Sequence, residues 1–88
     1  KRDLALLVDT ATSFAEIEKI AYETERKLLK NVWLFDVYEG KNLESGKKSY
    51  AVSFLLQDEN QTLTEKQIEK VMQRLIQNFQ AKLGAQLR

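Results

Sequence analysis

The chain contains neither cysteine nor histidine. Disulfides and thiolate metal sites are therefore excluded, and the commonest catalytic base and metal ligand is missing. The lack of cysteine fits a reducing cytoplasm. Proline is absent as well, so nothing forces a break inside a helix or strand. No apolar run approaches the roughly 18–20 residues of a membrane span, and nothing at the start reads as a signal peptide. Charge of one sign is equally scarce: 14 basic against 13 acidic side chains leave a net charge of +1. Non-specific affinity for a polyanion grows with the number of phosphates neutralised. Any nucleic acid bound here must be recognised locally, by a few residues on a shaped surface.

What is present describes a folded domain. Apolar residues make up 43% and charged residues 31% of 88, close to the globular average and far from the regime of disorder. That length supports one compact domain, residues 1–88, with a modest core. The first residue is Lys1 rather than methionine, which is the expectation for a piece of a longer protein.

Along the chain, Asp3 to Asp9 is an apolar run flanked by charge, the pattern of a buried strand. Ser13 and Glu16 have capping-box spacing and predict a helix start. On that helix Ile17, Ile20, Ala21 and Leu28 fall on one side, with Glu18, Lys19, Glu25 and Arg26 toward water. Asn31 interrupts the pattern, and Val32 to Glu39 is aromatic and β-branched, as in a strand. Gly40 and Gly46 bracket a polar loop as candidates for positive φ, and Lys48 to Gln57 is the returning strand. Thr64 and Gln67 repeat the capping spacing. Ile68, Val71, Met72, Leu75, Ile76, Phe79 and Leu83 then hold an i, i+3, i+4 stripe, with Gly84 as the C-terminal cap and a short last strand after it. The order is βαββαβ, an α+β ferredoxin-like fold with a four-stranded antiparallel sheet and two helices on one face.

Two helices cover only one side of such a sheet, so strand alternation decides what stays open. Tyr50, Val52, Phe54 and Leu56 are far more apolar than Ser49, Ala51, Ser53 and Leu55, so the first set is assigned to the core. Trp33, Phe35 and Val37 are taken as the matching core set of the preceding strand, leaving Leu34, Asp36 and Tyr38 open. A register of Tyr38 against Ser49 puts Asp36 opposite Ala51 and gathers Asp36, Tyr38 and Ser49. In the last strand Leu87 is expected inward, with Gln86 and Arg88 outward. An open floor of small residues beside one tyrosine and one carboxylate suits a base: the ring stacks, and the carboxylate accepts two N–H groups from a guanine edge. Taken singly, Tyr38 reads as a packing residue, Asp36 as an edge-protecting charge, Ser49 as a turn serine and Arg88 as a solvated end.

The joint order of several short stretches resembles a known family. RDLALLVD at residues 2–9, LFDVYEG at 34–40, GKKS at 46–49, QD at 57–58, QTLTE at 61–65 and GAQLR at 84–88 are similar to the anticodon-binding, ferredoxin-fold domain that ends the β subunit of bacterial phenylalanyl-tRNA synthetases. The resemblance covers essentially the whole chain. It implies a module that binds the anticodon stem-loop of phenylalanine tRNA and holds the first anticodon base, a guanine, on the sheet. Asp36 and Tyr38 would meet that base, and Ser49 and Arg88 would complete the contact. Gln61 stands where many members carry arginine. The resemblance further implies a parent β subunit working with an α subunit as an α2β2 heterotetramer in the cytoplasm. Aminoacylation with ATP and magnesium would then occur elsewhere in that parent, with no cofactor, metal or catalytic residue in this domain.

Ferredoxin-like domains host unrelated activities, and three rivals compete with this reading. An RNA-recognition motif would need Tyr50 and Phe54 on the open face, and their phase points inward. An acylphosphatase needs an arginine-bearing anion loop after the first strand, and residues 10–13 (TATS) have neither arginine nor glycine. An ACT-like domain binding a small regulatory molecule is the alternative that sequence leaves open.

Overall fold

A computed structural model describes residues 1–40, 43 and 45–87. The elements are β1 (Arg2–Asp9), α1 (Phe14–Thr24), β2 (Leu29–Tyr38), β3 (Lys47–Leu56), α2 (Glu65–Leu83) and β4 (Gln86–Leu87). They form one sheet of order β2-β3-β1-β4 in which all three pairings are antiparallel. This is the expected ferredoxin-like arrangement.

Both helices start where the capping spacing predicts. Glu16 N donates to Ser13 Oγ at 3.3 Å while Glu16 Oε2 accepts from Ser13 N at 2.8 Å. Thr64 and Gln67 exchange the same pair of bonds at 3.2 and 2.9 Å, so each box satisfies two otherwise orphan donors. Gly84 closes α2 in the left-handed region at φ 63°, a conformation that costs glycine nothing.

The first helix ends earlier than its apolar stripe suggests. Glu25 leaves the helix in an extended conformation and, instead of facing water, is 8% exposed. Its Oε1 accepts from Lys27 N and Leu28 N at 3.3 and 3.1 Å, and its other oxygen accepts from Arg74 of α2. The carboxylate thus ties down the α1–β2 turn and joins it to the second helix, which the helical periodicity alone could not show. Leu28 consequently lies in the turn.

The core lies between the helices and one face of the sheet. Leu6, Val8, Val52 and Phe54 from the strands meet Ile17 of α1 and Leu75 and Phe79 of α2, all at 1% exposure or less. Phe54 and Phe79 pack with ring centroids 6.2 Å apart, tilted by 35°, within the range of favourable aromatic pairs. The uncovered opposite face is left for function.

Candidate nucleic-acid interface

Register fixes the composition of the open face, because residues directly opposite each other share a side of the sheet. Three rows result. Trp33, Ser53 and Asp3 form the first; Asp36, Ala51 and Ala5 the second; Tyr38, Ser49, Leu7 and Gln86 the third. Tyr38 stands opposite Ser49 and Asp36 opposite Ala51, the register read from the sequence.

The rest of β2 departs from that reading. Val32 pairs with Phe54 and Leu34 with Val52, so these two, not Trp33, belong to the helix side. The ladder then slips between Leu34 and Asp36, leaving Phe35 as the extra residue of a β-bulge. One inserted residue reverses the alternation downstream. Val37 returns to the helix side opposite Tyr50, but neither it nor Phe35 is core: they are 46% and 54% exposed. Trp33, expected inside, is half-buried on the open face. At the other edge Gln86 faces the open side as expected. Leu87 pairs with Leu6 yet stays 49% exposed, and Ala85 before it is the buried residue. A two-residue edge strand has too little helix above it to cover a leucine.

Each proposed contact residue has a distinct setting. Asp36 is exposed, and its Oδ1 accepts from the backbone N of Val37 at 2.9 Å, which fixes the rotamer and leaves Oδ2 and a second lone pair on Oδ1 available. Tyr38 is 38% exposed. Its ring lies against Gly40, where a Cβ would come within 2.6 Å of Cζ and closer still to the hydroxyl. A side chain at Gly40 would thus push the Tyr38 ring out of this orientation, whereas positive φ among these loop glycines belongs to Gly46 at 81°. Ser49 lies beneath this pair at 5% exposure, a small floor rather than a projecting group. The structure thus brings Asp36, Tyr38 and Ser49 together, whereas Arg88 lies outside the described residues.

Apart from Leu7 beside Ser49, the floor is low. Ala5 and Ala51 carry only methyl groups, and Ser53 is fully buried with its hydroxyl donating to Asp3 Oδ1 at 2.7 Å. At the end of the face beyond Tyr38, Lys47 Nζ pairs with Asp9 Oδ1 at 2.8 Å. No group of carboxylates among the described residues could hold a metal ion, and no described helix is long and apolar enough to cross a membrane. Two positions at this face differ from the sequence reading: Trp33, counted as core, lies on the open face, and Gly40, counted as a candidate for positive φ, lies against the Tyr38 ring. A run of four apolar residues, Val32 to Phe35, is the signal that simple alternation fails there.

A ferredoxin-like sheet with one face free, floored by small residues and edged by an aromatic and a carboxylate, is a class of surface suited to unpaired bases. A family model described as "Ferredoxin-fold anticodon binding domain" matches residues 1–88, and the chain belongs to this family. It is 74% identical over 88 residues to the phenylalanine–tRNA ligase beta subunit of Bacteroides fragilis and 70% identical to that of Bacteroides thetaiotaomicron. The corresponding subunit of Porphyromonas gingivalis is 62% identical over the same 88 residues. In each case all of this chain is covered, and it spans 11% of the relative's length.

Proposed function

We propose that this domain reads the anticodon loop of phenylalanine tRNA on the open sheet face, as part of a phenylalanine–tRNA ligase beta subunit. The observation that carries the reading is the bulge-corrected placement of Asp36 and Tyr38 on one uncovered face, opposite Ala51 and Ser49. Tyr38 stacks on the first anticodon base, a guanine. Asp36 accepts from the two donors of its Watson–Crick edge. Ser49 keeps the floor low enough for the base to approach the backbone, with its hydroxyl at the margin. Arg88 joins from the chain end, an assignment that rests on the sequence resemblance.

The domain itself carries out no chemistry. Phenylalanine activation, with ATP and magnesium, belongs to the rest of a cytoplasmic α2β2 enzyme, and this module positions the tRNA for it. The test is tRNA binding by the full-length protein carrying Tyr38→Ala or Tyr38→Phe. Loss of one stacked base costs about 1–3 kcal/mol, so the alanine variant should bind phenylalanine tRNA about 5- to 150-fold more weakly, and the phenylalanine variant nearly as wild type. Unchanged binding by Tyr38→Ala would overturn the assignment.

A further inference from the structure

We infer that Trp33 is a second base-stacking platform on the same face, taking another nucleotide of the loop whose first anticodon base sits at Tyr38. The inference rests on the function proposed above and extends its footprint along β2. Three observations lead to it. Trp33 falls between Val32 and Leu34, which the core takes, so it lies on the open face opposite Ser53, and the bulge at Phe35 returns Asp36 and Tyr38 to that same face. Trp33, Asp36 and Tyr38 then stand in order along one edge strand. Their cross-strand partners Ser53 and Ser49 are four residues apart on β3, a separation of about 13 Å at the usual rise per residue.

Between the two rings the floor is Ala51, with Ala5 beyond it, so no tall side chain of that middle row blocks a strand from lying across, and Leu7 stands only beside Ser49 at the Tyr38 end. That continuity selects a nucleobase as the occupant. An unpaired RNA strand crosses such a span within a few nucleotides and presents a π-face at each, and stacking on an aromatic ring tolerates any base. The charge is also suitable. Lys1 Nζ lies 5.9 Å from the Trp33 ring centroid. An exposed cation–π contact of this kind is weaker than a base stack. A base can therefore take the ring while the ammonium moves to the adjoining phosphate, adding a local positive charge that the net +1 of the chain does not provide.

The experiment measures binding of the full-length protein to phenylalanine tRNA in which one anticodon-loop nucleotide at a time is replaced by an abasic site. Wild type, Tyr38→Ala, Trp33→Phe and Trp33→Leu are compared, leucine keeping apolar bulk over Ser53 without a π-face, and circular dichroism follows the fold. Trp33→Leu should bind intact tRNA about 5- to 150-fold more weakly, and Trp33→Phe should recover most of that loss. At one loop position, different from the one that couples to Tyr38, the abasic site should cause no further loss in Trp33→Leu. If Tyr38 couples to a position and Trp33 to none, the inference is overturned and the function stands. If neither couples, both fail. A Trp33→Leu loss that is uniform over all positions and tracks a lower melting temperature assigns the indole to stability and likewise overturns the inference.

Discussion

On the role proposed for Asp36, its replacement by asparagine should weaken discrimination at the first anticodon base, and the geometry around the carboxylate makes the exchange informative. The Oδ1 atom of Asp36 is held by the backbone N of Val37 at 2.9 Å, and an asparagine carbonyl can keep that bond. The side chain therefore retains its rotamer, and its amide NH2 takes the place of Oδ2 toward the ligand. Guanine presents two donors on its Watson–Crick edge, so one hydrogen bond is lost and a donor faces a donor. Adenine presents an acceptor at N1 where guanine presents a donor, which an amide NH2 penalises less than a carboxylate does. A bidentate contact to a base edge is worth about 1–3 kcal/mol of discrimination, a range taken from DNA readout but set by the same geometry. Asp36→Asn should thus weaken guanine-containing tRNA by about 5- to 150-fold and narrow or invert the guanine-over-adenine ratio at the first anticodon position. Because Asp36 is exposed and its backbone bond survives, stability should change by no more than about 0.5 kcal/mol. The assay is equilibrium binding of wild-type and variant full-length protein to two tRNAs that differ only at that base. An unaltered ratio would refute the role given to Asp36, as would an equal loss for both tRNAs.

Gly40→Ala places a methyl group against the Tyr38 ring and hydroxyl. Its tRNA affinity should fall toward that of Tyr38→Ala while the melting temperature hardly moves, and wild-type affinity would mean that this ring orientation is irrelevant to binding. Glu25→Ala removes the acceptor of two backbone N–H groups and of Arg74. With Arg74 itself half-exposed, the loss is about 2 kcal/mol, or about 8–16 °C in melting temperature for a domain of this size. Thermal unfolding by circular dichroism measures it, and a shift under about 3 °C would show that the network contributes little.

Helix starts and the β2–β3 hairpin were legible because their signals are local. Ser13/Glu16 and Thr64/Gln67 each specify two backbone hydrogen bonds within four residues, and small and large side chains alternate cleanly along β3 from Ser49 to Phe54. Asp36, Tyr38 and Ser49 could be gathered on one face for the same reason: the β2–β3 register near the turn is set by that alternation. What could not be read depends on contacts between segments distant in sequence. The end of α1 is decided by Glu25, whose partner Arg74 lies 49 residues away. Leu87 needs helix cover that a two-residue strand at the sheet edge does not receive. Trp33 was misplaced because Val32 to Phe35 is apolar at every position, so its pattern is compatible with either phase.

The bulge reconciles two demands on β2 that a regular strand cannot meet together. The core needs Val32 and Leu34 opposite Phe54 and Val52. Strict alternation from those positions would carry Asp36 and Tyr38 to the helix side as well, and there a carboxylate without partners would be costly to bury. Inserting Phe35 turns the following segment over, so the same strand supplies core residues in its first half and open-face residues in its second. An edge strand accommodates this most easily, since only β3 has to keep pairing with it. The cost is visible in the bulged Phe35 and in Val37 after it, which remain about half exposed. A carboxylate and a phenol are thereby presented on rigid, hydrogen-bonded backbone instead of a loop, with Trp33 brought to the same face by the phase that the core imposes on the first half of the strand.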